Sequence, residues 1–271
     1  MHTVLFADDT TAYVSGSNVS DIFGIVSEDL NKIQMWCCSN RLSLNVSKTY
    51  GMLFSFTEHS IQPVELLNVP ISFNSTGKFL GIKLDDRLSF GAQCTDVCLK
   101  LSKVLGILYR IQTFVPQKVL IQLYYSLFYP HLLYCTRIWG GTYSAHIHQI
   151  VVIQKKCIRI IAGVTYNTHT SPIFKRLNIL KFNDVYKFQI CQYMFKSVRS
   201  GDFTPPLHSY QTRQHSDIVS VFQRLTTTQK SIKYSGPKIW NDLPVYLREI
   251  RKFHKFKSDL KKYLISLYEE S

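Results

Sequence analysis

A chain of 271 residues with 45% apolar side chains has material for one large or two modest hydrophobic cores, which excludes a disordered, collagenous or coiled-coil polymer. Thirty-two Lys and Arg against eighteen Asp and Glu leave a formal charge of +14, so polyanions are the first partner class to test. The charge is uneven. Residues 1–90 carry six bases and nine acids, 91–165 eight and one, and 166–271 eighteen and eight, so an acidic head precedes a basic body.

In chain order, the β-favouring runs 4–6 and 10–14 predict a tight hairpin with Ala7-Asp8-Asp9 at its tip. Ser17, Asn18 or Ser20 can cap a helix through Ile22, Val26, Leu30, Ile33 and Trp36/Cys37, whose spacing of three and four predicts packing on a sheet. A loop from Leu42 leads to a strand over 49–54. Further strands are expected over 63–71 and 79–84, with a turn at 74–77.

Beyond Phe90 the pattern becomes helical, over 93–111, 116–134 and 147–162. Residues 197–220 are polar and hold Pro205-Pro206, which predicts a linker near 197–220. Leu247, Ile250, Phe253, Phe256, Leu260, Leu264 and Leu267 then predict one basic amphipathic helix, with Arg248, Arg251, Lys252, Lys255, Lys261 and Lys262 around the turn. A terminal helix packing its apolar stripe on the bundle outweighs nucleic-acid or membrane-surface contact as its reading. No internal repeat is evident.

Seven cysteines, odd in number and with neither a C-x-x-C pair nor metal-finger spacing, predict reduced thiols and an intracellular setting. Val119 to Thr136 is uncharged for eighteen positions, but Gln122, Ser126, Pro130 and His131 interrupt it, so a buried helix and no membrane span is expected. The N-terminus enters a strand-like run without a signal-peptide pattern, the abrupt start expected of a truncated chain.

Phe6-Ala7-Asp8-Asp9-Thr10 on a hairpin resembles the (Tyr/Phe)-x-Asp-Asp motif of reverse transcriptases, in the alanine form of non-long-terminal-repeat retrotransposons and group II introns. The order of the downstream segments strengthens the likeness. Leu44-Asn45-Val46-Ser47-Lys48-Thr49 is similar to the next polymerase motif, and Lys78-Phe79-Leu80-Gly81-Ile82-Lys83-Leu84-Asp85 to the primer-grip hairpin. Leu101–Gly106, Leu123–Leu127, Pro130–Tyr134 and Ile138-Trp139-Gly140 resemble thumb helices of jockey-like elements. Ile153–Cys157 and Gly236–Pro244 resemble their C-terminal segment. The family's fingers and first aspartate-bearing strand would precede Phe6, where only five residues stand, so the chain looks like the back half of a polymerase.

The resemblance implies an α+β fold. Residues 1–90 would form the C-terminal part of a palm, an antiparallel sheet with a packing helix; 91–165 a helical thumb; and 166–271 a basic helical segment. It also implies nucleotidyl transfer by two Mg2+ ions, roughly 3.5–4 Å apart, bridging the attacking and leaving oxygens. Asp8 would be the main ligand and Asp9 a supporting one, since strand alternation tends to aim neighbours apart. Lys48 would protonate the pyrophosphate or neutralise its charge. Gly81 and Lys83 at the grip, with Lys100, Lys103, Arg110, Lys118, Lys155 and Lys156 on the bundle, would hold an RNA template and DNA primer by their backbones, and deoxynucleotides would be substrates of the full-length parent. Arg159 joins that basic set, whereas Tyr124 and Trp139 read as core. Each of these residues also has a plainer reading, an acidic turn for Asp8-Asp9, a surface lysine for Lys48 and a bend for Gly81. One strand's carboxylates cannot fix two cations, so the isolated chain is expected to bind Mg2+ weakly or not at all and to be inactive. A non-catalytic nucleic-acid-binding fragment, or a decayed retroelement product, is the alternative.

Overall fold

The computed structural model describes residues 1–203, 218 and 223–268. It divides into two compact units. One comprises Met1–Phe79 with Leu84–Leu88, the other Leu80–Lys83 with Ser89–Ser271. The fold is α+β, mostly helical with small sheets.

In the first unit, β1 (His2–Phe6) and β2 (Asp9–Tyr13) form the expected antiparallel hairpin. Helix α1 (Val19–Ser39) begins where the Asn18 side chain accepts from the Ser20 N–H at 3.1 Å, supplying one of the partners that a helix start lacks. The remaining strands are short: β3 (Tyr50–Gly51), β4 (Glu65–Leu66), β5 (Val69–Pro70), β6 (Ser72–Phe73), β7 (Thr76–Phe79) and β8 (Ile82–Asp85). They do not make the single antiparallel sheet expected. The strands form four separate pairs, and one of them, β3 with β6, is parallel.

Prolines and turn residues explain the fragmentation, because Pro70 brings no N–H to a ladder and Leu67-Asn68 turn the chain with φ of 54° and 58°. Helix α1 accordingly packs on pieces of sheet. Phe23 meets the Phe73 ring at 5.5 Å, and Gln34 accepts from the Leu67 N–H at 2.9 Å. A Cβ at Gly51 would sit 2.5 Å from the Phe73 ring, so a larger residue in the parallel pair would have to displace that ring.

The second unit holds one large core. Helix α2 (Gly91–Ile111) buries Cys94, Val97, Cys98, Leu101, Val104 and Leu108, one face at three- and four-residue spacing. That face packs against Ile147, Ile150, Cys157, Ile158 and Ile161 of α6 (Ser144–Ala162). Between them the stretch predicted as one helix over 116–134 is three: α3 (Gln117–Leu123), a π-helical turn (Tyr124–Phe128) and α4 (Tyr129–Leu133). Leu120, Tyr124, Phe128 and Leu132 are all buried at steps of four. An α-helix carries each such step about 40° round its axis, so an unbroken one would turn the last of them away from the first by about 120°. The wider π turn absorbs that drift.

Helix α5 (Thr136–Trp139) ends in the fully buried Trp139, whose indole stacks on Phe182 at 5.5 Å and donates to the Tyr134 carbonyl at 2.8 Å. After α7 (Ser171–Arg176), α8 (Phe182–Ser200) is buried around most of its circumference. It runs to Ser200 and buries Ser197, so the linker expected near 197–220 starts later than its polarity indicated; residues 204–217 and 219–220 of that expectation lie outside the described residues.

The C-terminal elements are α9 (Thr226–Gln229), α10 (Ile232–Asn241), α11 (Val245–Arg248) and α12 (Phe253–Ser266). The Asn241 amide both accepts from and donates to the Ile218 backbone, at 3.0 and 2.9 Å. The amphipathic helix expected from Leu247 onward is broken at 249–252. The Arg199 guanidinium takes the Ile250 carbonyl, and Lys252 is extended with ψ 122°. Phe256, Leu260 and Leu264 pack inward, with Phe256 stacked on Phe195 at 4.6 Å, while Leu267 is exposed. The terminal helix thus packs on the bundle. Among the described residues no helix is long and apolar enough to cross a membrane.

Candidate catalytic turn and nucleic-acid interface

Asp8 and Asp9 occupy the end of the first hairpin. The register pairs Phe6 with Asp9, which leaves Ala7 and Asp8 as a two-residue turn. Ala7 adopts φ 51°, a left-handed conformation that costs an L-residue roughly 1–2 kcal/mol and that two-residue hairpin loops demand. Asp8 is therefore thrust to the tip, and Asp9 is held in the ladder. Both are exposed, as are Leu5 and Phe6. A hard cation needs about six oxygens for Mg2+, drawn from more than one rigid element. The two adjacent carboxylates have the right chemistry for part of such a shell. Among the described residues no three Asp, Glu, His or Cys side chains converge as a metal site.

Lys48 ends a single 3₁₀ turn (Val46–Lys48) capped by Asn45, whose side chain accepts from the Lys48 N–H at 3.3 Å and from the Ser47 hydroxyl at 2.7 Å. The lysine is exposed, and among the described residues no ion pair joins it to Asp8 or Asp9.

The second hairpin, β7–β8, turns through Leu80 and Gly81 at φ 45° and 83°, the left-handed pair of a two-residue loop. Gly81 is needed for this φ; a Cβ would approach nothing closer than the Tyr134 hydroxyl at 3.4 Å. The turn is tied down by that hydroxyl, which donates to the Leu80 carbonyl at 2.5 Å. On the following strand, the Lys83 N–H donates to the buried Gln93 side chain at 2.9 Å.

Lys83 and Lys100, seventeen positions apart in the sequence, meet at one carboxylate. Asp96 lies 3.2 Å from the Lys83 ammonium and 2.7 Å from that of Lys100. The Lys100 hydrogen bond, with Lys83 behind it, holds the Asp96 carboxyl below the usual carboxylate range. Burial and the Lys100 charge lower the pKa of the neighbouring His131 imidazole, with Asp96 opposing them. Two of the anticipated phosphate contacts are thus already engaged with the lone acid between residues 91 and 165.

Lys103 and Arg110, two turns apart, share an exposed face of α2 with Leu99 and Gly106, and Lys118 is exposed on α3. Lys155, Lys156 and Arg159 share one face of α6 because Gln154 turns inward. Its amide donates to the Tyr124 hydroxyl (3.0 Å) and the Leu180 carbonyl (2.9 Å) and accepts from the Phe182 N–H (2.8 Å). Tyr124 and Trp139 are core. Sequence reasoning missed Asp96 and Tyr134. The i, i+4 spacing of Asp96 and Lys100 was available as a signal, whereas nothing local marks Tyr134 as a partner for residue 80.

A search of curated proteins finds the chain 25% identical over 188 residues, 67% of its length, to a probable RNA-directed DNA polymerase from the transposon X-element of Drosophila melanogaster. It is 25% identical over 185 residues to the RNA-directed DNA polymerase from the mobile element jockey of the same species, and 27% over 179 residues to that from transposon BS. The chain is similar to the RNA-directed DNA polymerases of jockey-like elements. It spans about a fifth of the length of these polymerases, 20% in each case. No protein-family model and no solved structure matches.

Proposed function

We propose that this chain supplies the Phe-Ala-Asp-Asp turn, a primer-gripping hairpin and the thumb helices of a transposon RNA-directed DNA polymerase. The observation that carries the reading is the two-residue turn that presents Asp8 at an exposed tip, on a chain similar to such polymerases. In the complete enzyme Asp8, with Asp9 beside it, would be a ligand for Mg2+, which when bound supplies charge neutralisation at the transferred phosphate. Lys48 Nζ is placed in this reading to give a proton to the leaving pyrophosphate. Gly81 and Lys83 hold the primer strand, and Lys100, Lys103, Arg110, Lys118, Lys155 and Lys156 the backbones of an RNA template and DNA primer.

Binding of the purified chain to an RNA–DNA hybrid, titrated across salt, tests this assignment. Each phosphate contact adds about 0.9 to the slope of log K against log salt for a duplex, so several contacts give a steep fall. Salt-indifferent binding, or none, refutes it. The absence of a converging third ligand among the described residues favours a second reading, a nucleic-acid-binding piece without catalysis of its own. Hybrid affinity unchanged by Mg2+ and by Asp8→Ala supports that reading.

A further inference from the structure

At the C-terminal end of α6 the side chains of Val152, Lys155, Lys156 and Arg159, at positions i, i+3, i+4 and i+7, form one wall of a pocket of about 350 Å3. The opposite wall is the loop residues Tyr166 and Asn167. Among the described residues no acid lines it and none of the three cations is in an ion pair. The loop is a built feature. Helix α6 ends at Gly163 with φ 65°, the Thr168 N–H donates to the Thr165 carbonyl at 3.1 Å, and the two threonine hydroxyls are 3.0 Å apart.

Arg159 is positioned from two sides. Its Nε donates to the Thr168 carbonyl at 2.9 Å, and its guanidinium lies 5.4 Å from the centre of the Tyr166 ring. That contact covers one part of an aromatic side chain which is still 69% exposed. Such a site offers phosphate-binding charge on one wall and, on the other, a largely exposed aromatic ring with an amide beside it.

We propose that this pocket binds single-stranded nucleic acid, one nucleotide at a time, with a phosphate on Lys155, Lys156 and Arg159 and its base stacked on Tyr166. The proposal rests on the reading of the chain as a nucleic-acid-binding part of a polymerase, and within that basic set it gives Lys155 and Lys156, with Arg159, to an unpaired strand. A paired base keeps both faces in its own stack, so an exposed aromatic in a small concavity can stack only on an unpaired or terminal base. The volume supports one nucleotide, since it lies at the small end of the roughly 300–1,000 Å3 of ligand pockets. Asn167 can meet any base edge, so binding is expected to be sequence-tolerant.

The test uses the full 271-residue chain, fluorescein-labelled oligo(dT) and an RNA–DNA hybrid of equal length, with anisotropy as readout. Tyr166→Ala is expected to weaken oligo(dT) binding about tenfold, the scale of one lost base stack, while changing hybrid affinity less than about twofold. Tyr166→Phe should restore oligo(dT) binding, because the ring and not the hydroxyl is used. Lys155→Gln with Lys156→Gln should lower the salt slope for oligo(dT). Equal losses on both probes, or none on oligo(dT), overturn the proposal. A wild-type chain that binds the hybrid but not oligo(dT) overturns it also. Oligo(dT) binding that depends on Tyr166 without any hybrid binding sustains the pocket and removes the polymerase reading instead.

Discussion

Gln154 is the polar hub of the helical unit, and replacing it with leucine isolates its contribution. Leucine is close in size, so the change leaves little cavity, but it removes three hydrogen bonds of 2.8 to 3.0 Å. Three partners are orphaned, the Tyr124 hydroxyl, the Leu180 carbonyl and the Phe182 N–H. Each of the three buried groups left without a partner costs about 1–3 kcal/mol, and the added apolar surface returns about 1, so Gln154→Leu should destabilise by about 2–8 kcal/mol. Tyr124→Phe removes one of two acceptors for the same amide and should cost only about 1 kcal/mol. In the double variant the orphaned hydroxyl no longer exists, so the cycle should show a coupling of at least about 0.5 kcal/mol. Urea unfolding followed by tryptophan fluorescence, to which buried Trp139 and Trp240 both contribute, reads all three. A Gln154→Leu chain within about 1 kcal/mol of wild type, or strictly additive variants, refutes the hub.

Gly81→Ala should lower the urea midpoint by the equivalent of about 1 kcal/mol, from backbone strain at φ 83° and not from crowding; no change would mean that the loop relaxes. The lowered Asp96 pKa contributes stability that is complete above the ordinary carboxylate pKa of 3.8 and is lost as pH falls through the lower folded value. Asp96→Asn should therefore flatten the acid limb of a stability–pH profile below about pH 4, modestly because both lysines are half exposed. Burial pushes the Cys94 and Cys191 thiols up to about 12 and Cys157 higher still, so brief iodoacetamide treatment at pH 8 should label exposed Cys38 and spare these three, as peptide mass spectrometry will show. Asp8→Ala, at an exposed tip, should leave the unfolding curve within about 0.5 kcal/mol of wild type; primer extension by the isolated chain, lost in this variant, would overturn the expectation that these two carboxylates are insufficient.

Where one face of an element meets one core, its position could be read from spacing. The hairpin around Ala7-Asp8, the long helices α1, α2 and α6, and the inward stripe of α12 all match apolar periodicity or turn chemistry within a few residues. The misses have two causes, a distant partner that competes with a local preference and turn residues that cut a ladder short. The helix expected from Leu247 breaks because Arg199, fifty-one residues earlier, takes the Ile250 carbonyl. The expected sheet splits into pairs because Pro70 brings no ladder donor and the left-handed pairs Leu67-Asn68 and Leu80-Gly81 close two of the hairpins. At the candidate site, residue types were legible but states were not. Lys83 and Lys100 look alike in sequence to Lys103, yet two of the three are anchored to Asp96. Tyr166 carried no periodic signal, since its position over Arg159 depends on a loop closed by two threonines.

The π turn at Tyr124–Phe128 has a consequence for how this segment tolerates change in length. Excise the exposed Ser126, and Leu120, Tyr124, Phe128 and Leu132 fall at intervals of four, three and four, the ordinary seam of a regular helix. The bulge is one surplus residue swallowed by a helix that kept its inward side chains in line. A one-residue deletion there should be accepted more readily than a point replacement of any of the four.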